Sequence, residues 1–290
     1  MSSPVPALTH PLLAVAAGDA IGAGLEFAQP KTIDFALFVK GSVPSDDTVL
    51  TLAVARAVLA HRHDEEGTRR AVVNEMRAAV QKYPDAGYGS KFLGWSATAH
   101  PEPYGSWANG AAMRVASVAW AYDTLEDVER FAQVTAGVTH NHPEGLLGAR
   151  AVAGITFLAR TGTDKDTLRD YAQQTCGYDL SDEATDWAIL SHPARRQVLL
   201  ANRQKASARY SVPRAIRAFL ERSSLEEALR LAVFLGGDTD TQAAMTGAMA
   251  EAYYGDLPQA LAQATQSVMG GLLWAEYEDV RRRILALRLA

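Results

Sequence analysis

The chain has 290 residues, of which 48% are hydrophobic and 21% are charged, so it is long enough to bury a sizeable core. Its formal net charge of −5 argues against an extended nucleic-acid surface, which would need a basic face. Cys176 is the only cysteine, which excludes an intramolecular disulfide and a thiolate metal site. We expect Cys176 to be a small, semi-buried residue.

The first apolar stretch, residues 12–27, has neither the charge pattern nor the length of a targeting or membrane segment. No Lys or Arg precedes Lys31, so the positively charged lead of a signal peptide is absent. Asp19 and Glu26 interrupt the stretch, which is also too short to span a bilayer. We therefore expect a cytoplasmic protein without a membrane partner.

Helical periodicity dominates the chain, and alternating strand patterns with hairpin dipeptides are nearly absent. Apolar residues recur at three- and four-residue spacing in four segments: Val49 to Val58, Met113 to Trp120, Leu225 to Val233, and Leu273 to Leu287. Small residues form helical stripes at Gly18 and Gly22, and from Ala244 to Ala252, which lets helix backbones approach closely. The pattern predicts an all-α fold with one compact multi-helix domain over residues 1–290.

Two acidic clusters each precede a predicted helix. The first is Ser45-Asp46-Asp47-Thr48, before a helix expected to begin near Val49. The second is Gly236-Gly237-Asp238-Thr239-Asp240-Thr241, before a helix predicted over Gln242–Tyr254 and ended by Gly255. Capping of the helix would explain one or two of these side chains. It does not require consecutive acids, which repel each other.

Taken together, the clusters indicate a metal site. Their carboxylates and hydroxyls are hard oxygen ligands suited to Mg²⁺ or Mn²⁺ and unsuited to a zinc site of the sulfur and nitrogen type. Four carboxylates in one cavity would repel strongly, and two divalent ions would balance their charge. Such two-metal sites can polarise a substrate oxygen and activate water.

At these motifs the sequence resembles the ADP-ribosylglycohydrolases, a family that includes dinitrogenase reductase-activating glycohydrolase. The resemblance runs from about Leu12 to Gly255 and also includes Gly18-Asp19-Ala20-Ile21-Gly22 with Glu26, the segment from Gly105 to Arg114, and Thr139-His140. Tyr83 to Gly89 is similar to a signature of a bacterial branch. The resemblance implies an all-α fold and hydrolysis of the glycosidic bond of ADP-ribosylated substrates, with ADP-ribose as the product and an ADP-ribosylated protein or other acceptor as partner.

The resemblance also implies roles for individual residues. The ligands of two Mg²⁺ or Mn²⁺ ions would be Ser45, Asp46, Asp47, Asp238, Asp240 and Thr241. Glu26 would lie at the cleft mouth as a gate or acid/base group, and Asp46 or Asp47 are the alternative bases. Substrate would be held by Gly105, Ser106, Trp107, Asn109, Gly110 and His140. Apart from the resemblance, we expect Asp19 to support the metal ligands by hydrogen bonding rather than by ligation.

Two positions depart from the family pattern. Ser45 stands where the family usually has Thr, which preserves the hydroxyl. Ala108 replaces a usual glycine in the loop expected to grip phosphate through backbone N–H groups, and would be strained if φ were positive there. A metal site at His140 and His142 is a weaker hypothesis, because two His two positions apart on a turn have no further local ligand.

Two other functions fit the same motifs. The chain could bind ADP-ribose or a related nucleotide without turnover, although the retained acidic residues argue against this. It could also be a two-metal phosphohydrolase of a nucleotide diphosphate, which would release AMP. The acceptor of ADP-ribose lies outside these motifs, so the sequence does not identify it.

Overall fold

The computed structural model describes residues 8–27, 30–180 and 206–289. Its helices are α1 (Leu13–Leu25), α2 (Asp46–Ala60), α3 (Glu65–Lys82), α4 (Ser90–Ala97), α5 (Gly110–Met113), α6 (Val118–Ala121), α7 (Leu125–Ala136), α8 (Pro143–Arg160), α9 (Lys165–Asp170), α10 (Ala208–Leu220), α11 (Leu225–Phe234), α12 (Thr239–Tyr254) and α13 (Gln259–Leu289). A π-helical turn, Tyr171–Thr175, follows α9. Within these residues the only β pairing is an isolated bridge between Ala108 and Ser207, so the all-α prediction is confirmed.

Helices α1 and α12 form the central pair of the core and are almost entirely buried. Glycines lie at the contacts: a Cβ on Gly18 would lie 2.1 Å from the Ala243 carbonyl oxygen, and one on Gly247 would lie 2.1 Å from that of Ala14. Only residues without a Cβ allow two backbones to come this close. The predicted small-residue stripes are therefore the contact surface of this pair.

A buried carboxylate fixes the start of α1. Glu251 of α12 accepts hydrogen bonds from the backbone N–H groups of Leu12 (2.6 Å) and Ala14 (2.8 Å). Burial raises the pKa of Glu251 to about 8. The two N–H groups would otherwise be unsatisfied at a buried helix end, so Glu251 helps to anchor α1 against α12.

Both helices that follow the acidic clusters begin earlier than predicted. Helix α2 begins at Asp46 with Ser45 as its N-cap, and α12 begins at Thr239 instead of Gln242. The predicted starts were placed after the acidic clusters, but Asp46, Asp47 and Asp240 lie in the first helical turns. The stop at Gly255 is confirmed by its φ of 92°.

The prediction of one continuous helix from Met113 to Trp120 is wrong. The segment contains two short helices, α5 and α6, separated at Arg114, whose φ and ψ are −98° and 2°. All residues from Ala111 to Tyr122 are buried, so burial alone does not distinguish one helix from two. The helix predicted from Leu273 to Leu287 is confirmed as part of α13. Its buried residues include Leu273, Tyr277, Val280 and Ile284.

Cys176 is a buried free cysteine, as expected. In the described part of the chain, no helix combines the length and the apolar character needed to cross a membrane.

Candidate active site

A cavity of about 510 Å³ lies where the N-termini of α2 and α12 meet the C-terminus of α1 and the loop before α5. Its walls include Glu26, Asp46, Asp47, Ser106, Asn109, Gly110, His140, Asp238, Asp240 and Thr241, all of which the sequence assigned to the site. Three other assigned residues, Ser45, Gly105 and Trp107, are not among its lining residues. The structure thus brings together both acidic clusters, which are about 190 residues apart in the chain.

The first cluster is held by its own helix cap. The Ser45 hydroxyl accepts a hydrogen bond from the Asp47 backbone N–H (3.3 Å) and donates one to Asp47 Oδ2 (3.1 Å). The other oxygen of Asp47, Oδ1, is buried and has no hydrogen-bond partner among the described residues. A buried carboxylate oxygen without a donor is costly, so this atom is suited to bind a cation.

Asp19 of α1 holds the first cluster in place through hydrogen bonds. It is fully buried and accepts hydrogen bonds from the backbone N–H groups of Ser45 and Thr48 and from the Thr48 hydroxyl (2.5 Å). The hydrogen bonds expected of Asp19 are present, whereas its exclusion from the metal ligands stays a prediction. Its carboxylate also approaches the site itself, because one oxygen each of Asp19, Asp47 and Asp240 lie within 4.8 Å of one another.

The second cluster follows two glycines with positive φ, Gly236 (72°) and Gly237 (98°), which only glycine adopts without strain. This turn directs the start of α12 toward α1, where the Thr239 hydroxyl donates to the Gly22 carbonyl oxygen (2.9 Å). The Thr241 hydroxyl lies 3.4 Å from Asp47 Oδ2 and so connects the two clusters.

The carboxylates of the site cannot all be charged at neutral pH without a cation. Burial and the charge of Asp240 raise the pKa of Asp19 to about 7, although its hydrogen bonds oppose the shift. Burial and the neighbouring acids raise the pKa of Asp46 to about 7 and hold the pKa values of Asp47 and Asp238 well above their usual range. Divalent cations would remove this repulsion, so the residues present fit a metal centre.

Glu26 lies directly after the last residue of α1 and contributes to the cavity wall. The negative charge of Glu26 contributes to the raised pKa of Asp238, which shows that the two carboxylates are close.

Asn109 connects the loop before α5 with the second cluster. Its side-chain amide donates to Asp238 Oδ2 (2.7 Å) and to the Ser211 hydroxyl (2.9 Å). Its backbone N–H donates to the Ala206 carbonyl oxygen (2.8 Å). Asn109 therefore orients Asp238 and holds the loop against the segment that leads into α10.

The loop before α5, which the sequence suggested would grip phosphate through backbone N–H groups, uses four of these groups in hydrogen bonds within the protein. The backbone N–H groups of Gly105, Ser106, Ala108 and Asn109 already donate to other protein atoms. Gly105 does need its φ of 68°, whereas Ala108 is not strained, because Leu12 is the only non-glycine residue with positive φ among the described residues. The side chain of Trp107 is 46% exposed.

The cavity is also lined by His140, Tyr104 and Arg114, and to Arg114 the sequence assigned no role. Arg114 is 2% exposed and His140 is 3% exposed. Burial and the adjacent Arg114 cation keep the pKa of His140 well below its usual value, and burial lowers that of Arg114 to about 10. An arginine within an otherwise apolar segment was the available sequence signal for Arg114.

His142 is a helix cap and does not pair with His140. Its Nδ1 accepts a hydrogen bond from the Glu144 backbone N–H (3.2 Å) at the start of α8. The segment from Tyr83 to Gly89 is closer to the site: the Ala86 carbonyl oxygen accepts from the Asp46 N–H (2.7 Å), and Gly87 and Gly89 line the cavity. Lys91, just beyond it, also lines the cavity.

The fold and the site together define the class: an all-helical protein with an acidic cavity between two helix N-termini. Comparison with known families identifies which family of this class the chain belongs to. The family model described as ADP-ribosylglycohydrolase matches residues 9–290. The chain therefore belongs to the ADP-ribosylglycohydrolase family.

Individual relatives agree with this assignment. ADP-ribosylhydrolase ARH3 of Homo sapiens is 30% identical over 261 residues, which cover 73% of this chain and 70% of the human protein. The Mus musculus protein of the same name is 29% identical, with 73% and 69% covered. A solved structure titled ADP-ribosylglycohydrolase-related protein complex aligns with a TM-score of 0.67 and 25% identity, covering 95% of this chain and 94% of that one.

Proposed function

We propose that this protein is a metal-dependent hydrolase that cleaves the glycosidic bond between ADP-ribose and an acceptor, releasing ADP-ribose. The observation that carries the proposal is a group of three carboxylates, two buried and one partly buried: oxygens of Asp19, Asp47 and Asp240 lie within 4.8 Å of one another. The names of the relatives, ADP-ribosylhydrolases, supply the reaction class. Because residues from both ends of the chain form one site, we also propose a single domain over residues 1–290.

The ion ligands we propose are Ser45, Asp46, Asp47, Asp238, Asp240 and Thr241, with two Mg²⁺ or Mn²⁺ ions. The unpartnered Oδ1 of Asp47 and the raised pKa values of the cluster support cation binding at this place. When bound, the ions would orient the ribose through its 2′- and 3′-hydroxyls and activate a water molecule.

The protein residues would hold the cluster and move the proton. Asn109 keeps one Asp238 oxygen in a fixed direction through its 2.7 Å hydrogen bond. The catalytic group that accepts the proton of the attacking water is Glu26, Asp46 or Asp47, since each lines the cavity. Of these, Glu26 lies outside the two ligand clusters, so it can act as an acid/base group or a gate without leaving a metal.

The loop wall would bind the ADP part of the substrate through Gly105, Ser106, Trp107, Asn109, Gly110 and His140. Ser106, Gly110 and His140 line the cavity directly, and the exposed Trp107 would contact substrate outside it. The acceptor would leave through the mouth near Glu26 and Lys91.

The product distinguishes this function from its alternatives. The protein is incubated with ADP-ribosylated arginine, serine and nucleobase conjugates, with Mg²⁺ or with EDTA, and the products are identified by mass. We expect intact ADP-ribose only with Mg²⁺. Release of AMP would instead show a phosphohydrolase, and tight ADP-ribose binding without any product would show a binding protein. For variants of the acidic site, Asp279→Ala is the matched control. Asp279 is an exposed acid on α13, so this variant should behave as wild type.

A further inference from the structure

A chain of three buried side chains ends at the cavity wall. Arg114 Nη2 donates a hydrogen bond to the Thr139 hydroxyl at 2.7 Å, and that hydroxyl lies 2.6 Å from His140 Nδ1. Thr139 is fully buried, and Arg114 and His140 are nearly so. The chain is not part of either acidic cluster.

The direction of these hydrogen bonds follows from the chemistry of the groups. A guanidinium can only donate, so the Thr139 oxygen must accept from Arg114. The hydroxyl then has one proton to give, to His140 Nδ1 at 2.6 Å or to the Ala136 carbonyl oxygen at 3.5 Å. If Nδ1 carried the proton, the hydroxyl would accept from both neighbours and could donate only across the long 3.5 Å contact. Donation from the hydroxyl to Nδ1 at 2.6 Å pairs the groups better, and we infer that direction. His140 Nδ1 is therefore an acceptor.

An imidazole whose Nδ1 accepts carries its proton on Nε2 when it is neutral. Burial and the Arg114 cation disfavour the doubly protonated ring, since both lower its pKa. Nε2 is buried and has no partner among the described residues. Gly110 lies beside this edge of the ring and has no side chain to cover it. A Cβ at Gly110 would lie 3.4 Å from Nε2 and from Cε1.

We propose that Thr139, itself oriented by Arg114, is a positioning residue that holds His140 as the neutral Nε2–H tautomer, so that His140 is a fixed hydrogen-bond donor for an oxygen of the bound substrate. Resting on the proposed function, that oxygen belongs to the diphosphate of ADP-ribose, because the Arg114 cation and the Ser106 hydroxyl line the same cavity and both favour an anion. Neutral His140 can donate a hydrogen bond to the anion, and no further cation then has to be buried in the cavity wall.

The tautomer is measured in the ligand-free protein, by long-range ¹H–¹⁵N NMR of the histidine rings. His140→Gln assigns the His140 signals. We expect wild-type His140 to show a protonated Nε2 and an unprotonated Nδ1 at neutral pH. Thr139→Val, which keeps the shape and removes the hydroxyl, should shift His140 toward a mixture of tautomers, and Thr139→Ser should restore the wild-type spectrum.

Affinity provides the second readout. Thr139→Val should weaken ADP-ribose binding in calorimetry by the factor by which the Nε2–H population falls, about twofold for an equal mixture of tautomers, and Thr139→Ser should restore it. Thr135→Val is the matched control, because it removes a buried hydroxyl that bonds only to the Ala132 carbonyl oxygen. It should leave the His140 spectrum and the affinity unchanged.

The outcomes separate this inference from the proposed function. A protonated Nδ1 in the wild-type protein, or an unchanged His140 spectrum in a folded Thr139→Val variant, would overturn the role of Thr139. Loss of affinity in Thr135→Val as large as in Thr139→Val would also overturn it, since any buried hydroxyl would then matter equally. If the tautomer is as expected but no ADP-ribose is released from any conjugate, the proposed function fails and the positioning of His140 stands.

Discussion

Replacing Gly22 by alanine should push α12, which begins within the second acidic cluster, away from α1. A Cβ at this position would lie 2.4 Å from both the backbone nitrogen and the Cα of Asp240. Comfortable contact between such atoms needs about 3.5 Å, so the backbones must move apart by about 1 Å. The displaced residue is Asp240 itself, and the hydrogen bond from the Thr239 hydroxyl to the Gly22 carbonyl oxygen would lengthen with it.

A displacement of about 1 Å at a catalytic group can reduce turnover by roughly a hundredfold. We therefore expect Gly22→Ala to lose about two orders of magnitude in ADP-ribose release and to bind Mg²⁺ or Mn²⁺ more weakly. Overpacking of a core contact also costs about 1–3 kcal/mol of stability. Thermal unfolding in excess EDTA measures that cost without a contribution from bound metal.

Gly247→Ala is the matched control at the other end of the same helix pair. Its Cβ would lie 2.1 Å from the Ala14 carbonyl oxygen, so its steric conflict is at least as large, but it lies about two helical turns beyond Asp240. We expect a similar loss of stability with much less effect on metal affinity and turnover. Wild-type metal affinity and turnover in Gly22→Ala would refute the reasoning, as would an equal functional loss in both variants.

Four further outcomes are expected. Asp240→Ala should lower turnover by about a hundredfold or more, and EDTA should inactivate the wild-type enzyme until Mg²⁺ or Mn²⁺ is restored; full activity in excess EDTA would exclude the metal site. Asn109→Ala should weaken ADP-ribose binding in calorimetry by about 1–3 kcal/mol, because a buried polar partner is left unsatisfied; unchanged affinity would place the substrate elsewhere. Glu26→Gln should reduce turnover by roughly a hundred- to ten-thousandfold while product binding persists, and normal turnover would exclude both a gate and an acid/base role. In EDTA, the free energy of unfolding should fall as pH rises from about 4 to about 7. Asp19 and Asp46 have raised pKa values of about 7, so in that window they bind more protons in the folded state than in the unfolded state. Mg²⁺ should remove this loss, and a stability that rises with pH in EDTA would contradict it.

The helices and the chemical character of the site follow from short-range sequence patterns. Apolar periodicity identified α2, α11 and α13, because each has a face that must be buried. The concentration of acids at two helix starts, in excess of what capping needs, indicated cation binding. Resemblance of these motifs to a known family then indicated the reaction, and the family model over residues 9–290 confirms the family.

Helix boundaries were less accessible, since they depend on polar groups more than on apolar spacing. At α2 the Ser45 hydroxyl caps the helix and draws Asp46 and Asp47 into its first turn. Between Met113 and Trp120 the whole segment is buried, so apolar periodicity could not show the break at Arg114. That break places the guanidinium where it reaches Thr139.

Only the tertiary structure decided how the clusters meet and what each carboxylate experiences. Asp47 and Thr241 lie 194 positions apart in sequence. They approach because both helices are held on α1: Asp19 accepts hydrogen bonds from Ser45 and Thr48, and glycines let α12 come close to α1. The same packing removes water from Asp19 and Asp47, and this desolvation, which no local pattern encodes, raises their pKa values. The hydrogen-bond chain from Arg114 to His140 likewise exists only once α5 and the end of α7 are packed together. Residue types and spacing determine which groups are available, whereas distances, burial and charge states arise from contacts between distant segments.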